Sequence, residues 1–447
     1  MDFPQKPLMA APTKIRWVVF ALAFLSSWTL YLHRYVFGLI KPKLAEEWGL
    51  ESDELGLMDS VFSLTYSGFQ FPLGIAADVL GVRLILTLLT LLGAIGLALH
   101  AWAPSPSQLW FARGFFGTGQ SAIFANLNRI APFWFPKNIR TTLQGAVGVT
   151  AGRLGGLSTS LLFGYLLLGV LELDWRTATF IFAGFGVLLA ALTWLFFRNT
   201  PQTHPLVNQA EVALIEGDGS ALEESASLQG PTMTTREMLR RMSPRSLINF
   251  FALNVQSILS TIADNIYSAW IPLFLFEVHN LKFKEMGIYW SLPLLGGALA
   301  GLIGGVLNDR CIALTNNRRW SRTAVAMIGK GMAAVLLLVA MFWYQQPYAF
   351  CIFLFFVKLF GDWSLTTSWG VVTDIGGKAT ASVFAFNNTV AGIGAILAPI
   401  LYGFLALHYG WRAVFLSAAV TYVFCAISWL FINCTVPLLA SEEIPEE

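Results

Sequence analysis

The sequence predicts an all-α integral membrane protein, with twelve transmembrane helices in two pseudo-symmetric six-helix bundles. Three observations predict it. The chain is 56% hydrophobic and only 12% charged over 447 residues, against about a quarter charged in an ordinary soluble domain. The charges gather in short connectors, leaving apolar runs of about 20 residues, the length that crosses a bilayer as a helix. A polar stretch at 199–245, rich in Pro, Gly, Ser and acids, divides those runs six and six. The net charge of +2 decides nothing here, because the placement of charge matters more than its sum.

In chain order, the reading is a cytoplasmic tail over 1–15, a first bundle over 16–198, a cytoplasmic loop over 199–245, a second bundle over 246–434 and a cytoplasmic tail over 435–447. The spans fall near 17–39, 55–77, 83–103, 108–133, 142–170, 177–197, 247–276, 286–307, 323–344, 348–372, 381–405 and 412–434. Lys and Arg crowd the connectors on the side of the termini: Arg83, Lys137, Arg140, Arg310, Arg318, Arg319, Arg322 and Lys378. The tail and central loop add Lys6, Lys14, Arg236, Arg240, Arg241 and Arg245, whereas Lys41, Lys43, Lys282 and Lys284 lie opposite. By the positive-inside rule both termini face the cytoplasm of a cell inner (plasma) membrane. The first apolar run is too long for a signal-peptide core and no cleavage pattern follows it.

The halves repeat each other. "GIAADVLGVR" after span 2 and "GGVLNDRC" after span 8 each set a Gly four residues before an Asp, giving Gly74 with Asp78 and Gly305 with Asp309. "DWRTATF" opens span 6 and "GWRAVF" opens span 12. Two related six-span halves are the layout of major-facilitator transporters, whose site lies at the midplane between the halves. The Gly–Asp pairs read either as close packing with a helix cap or as a latch between bundles, and their recurrence at the same place favours the latch.

Polar residues inside the spans are the candidate site, because a charge at the bilayer centre costs about 2.5–3.5 kcal/mol even on insertion scales. Arg34 in "YLHR" lies seven residues from Lys41, or roughly 10 Å deeper, and reads as a fixed cation in a cavity, with Tyr31 on its face. His33 points about 100° away; it either titrates near neutral pH or hydrogen-bonds a neighbouring helix. Span 4 places Arg113 and Gln120 on one stripe, span 2 offers Asp59 and Tyr66, and the small-residue span 5 holds Arg153. Arg153 is either a second anion anchor or the partner of an acid elsewhere. Span 7 holds Asp264 and Asn265. Lys358 and Asp362 of span 10, at i and i+4, read as an ion pair within one helix. Trp110, Trp134, Trp343 and Tyr344 near span ends read as interface anchors.

No phosphate loop, nucleophile elbow or metal-binding motif is present, and Cys311, Cys351, Cys425 and Cys434 lack metal spacing and read as packing residues. An enzyme, a catalytic set, a cofactor, a bound metal and a nucleic-acid partner are therefore not expected.

"YLHR", "YSGFQFPLGIAADVLGVR", "RGFFGTGQ", "FWFPKNIR", "TPQTHPLVNQAE", "WIPLFLFE", "VTDIGGKATAS" and "GWRAVF" together resemble the anion:cation symporter family of the major facilitator superfamily, in order and over nearly the whole chain. The resemblance implies alternating-access transport of a small organic anion, sugar acids such as hexonates and hexuronates first, in symport with a proton or other cation, by a monomer in the bilayer. It implies that Arg34 binds the substrate carboxylate and that Tyr31 and Tyr66 line the site. Asn388, Thr366 and Thr367 would then meet substrate hydroxyls, and Arg113 would communicate with the coupling acid. Two positions depart from the family pattern: His33 stands where an aspartate is usual and Gln120 where a glutamate is usual. Those carboxylates carry the coupling proton in the relatives. Coupling and gating thus rest on His33, Arg113, Gln120 and Asp362, and an uncoupled uniporter or an anion exchanger is the alternative. A transporter-like anion sensor is a third reading, which the short central loop does not favour.

Overall fold

The computed structural model describes residues 11–216, 242–376 and 380–438. Lys6, Arg236, Arg240, Arg241, Lys378 and parts of both expected tails and of the central loop lie outside the described residues. Among the described residues ten helices are long and apolar enough to cross a membrane. The other two passes are span 2, Ser52–Leu80, which carries four acids, and span 4, broken into Pro106–Gln120, Ile123–Asn128 and Ile130–Trp134. No described residue lies in a strand.

Span 1 runs Ile15–Trp48, well beyond its predicted end. It begins under a clasp. Glu211, fully buried on the short helix Gln209–Glu216, accepts the backbone N–H groups of Ile15 and Arg16 and pairs with the Arg16 guanidinium at 3.1 Å. An acid at a helix N-terminus satisfies donors that have no intrahelical partner. At the other end, Trp175 donates to Glu47 at 2.8 Å, and in the second half Trp411 donates to Glu277 at the same distance. That symmetry explains the repeated Trp-Arg: each tryptophan ties the start of span 6 or 12 to the end of span 1 or 7.

The bundles touch chiefly through span 2 against span 11 (Thr380–Tyr409) and span 5 against span 8 (Phe283–Thr315). Ser60 donates to the carbonyl of Ile396 at 2.8 Å, and Ser160 to that of Gly287 at 2.6 Å. Gly56 and Gly287 allow these approaches; a Cβ at Gly56 would collide with the Pro399 carbonyl and one at Gly287 with the Tyr165 backbone, the small-residue packing expected where lipid supplies no drive for helices to associate. All these contacts lie on the side away from the termini. Toward the termini a Cβ added at Gly74 or Gly305 would meet no atom within 4 Å. The bundles are closed on one side and parted on the other.

This parting bears on the expected latch. Asp78 pairs with Arg129 at 2.7 Å, and Arg129 also donates to the Gly74 carbonyl. Both bonds stay inside the first bundle, and Asp309 is exposed. Among the described residues neither Gly–Asp pair has a partner in the other bundle, because the ends that carry them are the ends that separate. Trp134 is likewise not an interface anchor: it is fully buried and donates to the Arg198 carbonyl. Tyr344 is buried too and packs against Phe274.

Candidate functional site

Between the bundles lies a cavity of about 340 Å³, within the usual range for a small-molecule site. Span 1 presents Tyr31, Arg34 and Gly38 to it on one stripe, at i, i+3 and i+7. Arg34 sits in an aromatic cage, its guanidinium carbon 5.2, 5.3 and 4.6 Å from the rings of Tyr31, Phe62 and Tyr66. Its Nε donates to Gln120 Oε1 at 3.2 Å, and Gln120 in turn donates to the Leu30 carbonyl. Its Nη2 is buried with no hydrogen-bond acceptor, and no carboxylate pairs with it among the described residues. A guanidinium held in rings, with a donor left over, is built to receive a planar oxyanion.

Below that stripe Lys41 completes the face. The sequence places it in an outer connector; the longer helix places it inside, 0% exposed, paired with Asp59 at 2.6 Å. The same carboxylate holds Arg113 at 2.6 Å. Lys41 Nζ also lies 3.8 Å from the ring of Trp270 in the second bundle, a cation–π contact across the interface. The signal was available in the sequence, since Lys41 is seven residues from Arg34 and shares its face.

Span 5 leaves α-helical winding in two stretches. It is π-helical over Ala146–Thr150 and Thr159–Val170, around the α-helical Ala151–Ser158 that carries Arg153. Such changes of winding are frequent at functional sites. Arg153 lines the cavity and pairs with Asp362 of the opposite bundle at 2.7 Å. Of its two sequence readings, partner and anchor, the structure displays the partner. Lys358 pairs with Asp362 at 2.9 Å, as the i, i+4 spacing predicts, and also with Asp264 of span 7, Pro244–Ala269.

Three other expectations are corrected by helix rotation. His33 faces away from the cavity: its Nε2 donates to the Phe182 carbonyl at 2.8 Å and its ring packs on Gly186 of span 6. It holds two helices together and reaches no substrate space, so the role of titrating stand-in does not fit it. Thr367 is buried against Asn308, and Thr366 returns its hydroxyl to its own helix. Leu365 and Trp369 line the cavity instead, together with Tyr66 and Asn388, which stand where expected. Asn265 and Thr261 also reach the cavity. Among the described residues no cluster of His, Cys, Asp and Glu fits a metal ion.

A two-bundle helical fold around a polar midplane cavity defines a membrane carrier rather than an enzyme. The model of the Major Facilitator Superfamily matches residues 23–336 and 316–444, and the chain belongs to that superfamily. It is 26% identical over 437 residues to a probable sulfoacetate transporter of Cupriavidus necator, covering 97% of this chain and 96% of that protein. It is 27% identical to a probable galactarate/D-glucarate transporter of Bacillus subtilis, covering 90% and 88%. It is 26% identical to the hexuronate transporter of Escherichia coli, covering 91% of each. The fold is shared with a D-xylose-proton symporter at a TM-score of 0.71 and 14% identity, covering 94% of this chain and 98% of that one.

Proposed function

We propose that the protein carries a small organic anion with a terminal carboxylate or sulfonate, by rocking of the two bundles around the central cavity, in symport with a proton. The observation that carries this reading is Arg34: a cavity-facing guanidinium without a carboxylate partner among the described residues. An anion's oxygens would take Arg34 Nη2, with the aromatic rings fixing the guanidinium plane. Hydroxyls of a sugar acid would find Asn388, Asn265 and Thr261. The relatives named for sulfoacetate, galactarate/glucarate and hexuronate fit that chemistry. The parted side of the bundles carries the termini and most of the connector Lys and Arg, so it is read as cytoplasmic and this state as inward-open. A cysteine introduced at Thr203 should react with an impermeant reagent only after cells are opened; labelling of intact cells would invert the topology. One chain encloses the whole cavity, so a monomer suffices, and transport lost on dilution to single chains would overturn that.

The test is uptake of labelled sulfoacetate, D-glucarate and D-glucuronate by purified protein in proteoliposomes. At least one should enter, and Arg34→Lys should lose about tenfold or more in apparent affinity, because an ammonium cannot reproduce the two-pronged geometry. Wild-type uptake by Arg34→Lys would remove the anchor.

A further inference from the structure

We propose that Asp264 carries the proton that accompanies the anion, by an exchange of partners with Lys358, Asp362 and Arg153. The proposal rests on the anion-carrier reading above. Coupling needs a carboxylate that meets both cavity water and a cation the anion can use. Among the described residues two carboxylates line the cavity, Asp59 and Asp264. Asp59 is committed to two cations, Lys41 and Arg113, each at 2.6 Å, and its side chain is 11% exposed. The Asp264 side chain is 37% exposed and has one cation, Lys358, itself 1% exposed. Lys358 is shared with Asp362 at 2.9 Å, and Asp362 reaches across the interface to Arg153 at 2.7 Å. The four charges alternate, minus, plus, minus, plus, from span 7 through span 10 to span 5.

Alternation makes the chain of pairs an exchange device. When Asp264 takes a proton from cavity water, Lys358 loses one claimant and turns wholly to Asp362. Asp362 then needs Arg153 less, and Arg153, on the cavity wall, is released to a substrate oxyanion. Read backwards, an anion on Arg153 leaves Asp362 to Lys358, and Asp264 without a cation favours its protonated form. Proton and anion therefore promote each other's binding, and the linkage is reciprocal by thermodynamics. Movement of the bundles then delivers both to the other side, where Asp264 returns its proton to water and, ionised again, re-forms its ion pair with Lys358. No electrons move and the only bond made and broken is O–H.

Among the described residues the other elements around this network supply no competing carboxylate. Tyr35 of span 1 faces Arg153 and Asp362, as does Tyr31 on the Arg153 side. Tyr267 stands beside Lys358, Tyr422 of span 12 beside Asp362. Lys330 of span 9 acts on Asp362 from behind and donates to Ser260. Span 11 contributes Asn388, which does not titrate.

The experiment uses the full-length protein in proteoliposomes with labelled sulfoacetate, D-glucarate and D-glucuronate. Wild type should accumulate at least one of them under an inward proton gradient, and its apparent affinity should weaken as pH rises. Asp264→Asn should still exchange external for trapped anion, while uphill accumulation falls to the equilibrium level and affinity loses its pH dependence. Asp264→Glu should restore a pH-dependent affinity, which separates a lost proton site from a misfolded variant. A pH electrode should register proton uptake when wild type in detergent binds the anion. The assignment is overturned if Asp264→Asn accumulates like wild type, or if wild type exchanges anion with no response to the proton gradient. If wild type moves none of the three, the carrier reading itself fails and takes the coupling with it.

Discussion

The two bundles bring oppositely built charge clusters to the cavity. In the first, one acid serves two buried cations: Asp59 holds Lys41 and Arg113. In the second, one buried cation serves two acids: Lys358 holds Asp264 and Asp362. The first cluster carries an excess of positive charge, with Arg34 beside it. The second carries an excess of negative charge, balanced only when Arg153 crosses from the other bundle. One half of the molecule thus brings a surplus of positive charge to the interface, and the other a surplus of negative charge.

That contrast can be broken, beginning with its largest consequence. Asp59→Asn leaves two buried cations without a carboxylate, and stripping a buried pair of one partner costs about 3–5 kcal/mol. The expected result is a large fall in the thermal midpoint of the purified protein, or no folded protein at all. Asp362→Asn should be milder, about 1–2 kcal/mol on the scale of a lost charge-assisted hydrogen bond, because Lys358 keeps Asp264. It should also tighten anion binding several-fold, since Arg153 is freed into the cavity, and equilibrium binding of the transported anion measures this. Equal destabilisation by the two variants would end the comparison. The smallest effect is expected at His33. His33→Gln keeps a donor for the Phe182 carbonyl and should cost about 1 kcal/mol or less, with the pH profile of transport unchanged. A shifted profile would return His33 to the coupling machinery.

Much of this was readable in advance. Lipid offers no partner for a backbone N–H, so each pass must be a helix of a certain length and apolarity, and the runs show in the sequence. Arg34 was readable because a charge in such a run needs a cavity, and Tyr31 because it shares the face of Arg34; Tyr66 and Asn388 were placed by the family resemblance alone. The rotation of each helix was not readable. A span that is apolar on nearly all sides has no polar face to mark its orientation, so Thr366 and Thr367 looked as suited to the cavity as Leu365 and Trp369. His33 failed for the same reason. Lys41 was misplaced because a lysine beside a proline resembles the start of a connector, yet span 1 continues through Pro42 to Trp48.

By itself the sequence determined the passes, their division into repeated halves, the cations placed in the oil and the absence of the usual coupling acids at positions 33 and 120. The passes, the halves and the buried cations follow from local composition and the length of a bilayer; that acids are usual at 33 and 120 is implied only by the family resemblance. Only the tertiary structure decided the partners. Asp264, Lys358, Asp362 and Arg153 are spread over three helices and two bundles, from residue 153 to residue 362. A Coulomb interaction depends on distance and surroundings rather than on separation along the chain, so whether Arg153 stands free or paired is settled where span 5 meets span 10 and nowhere earlier.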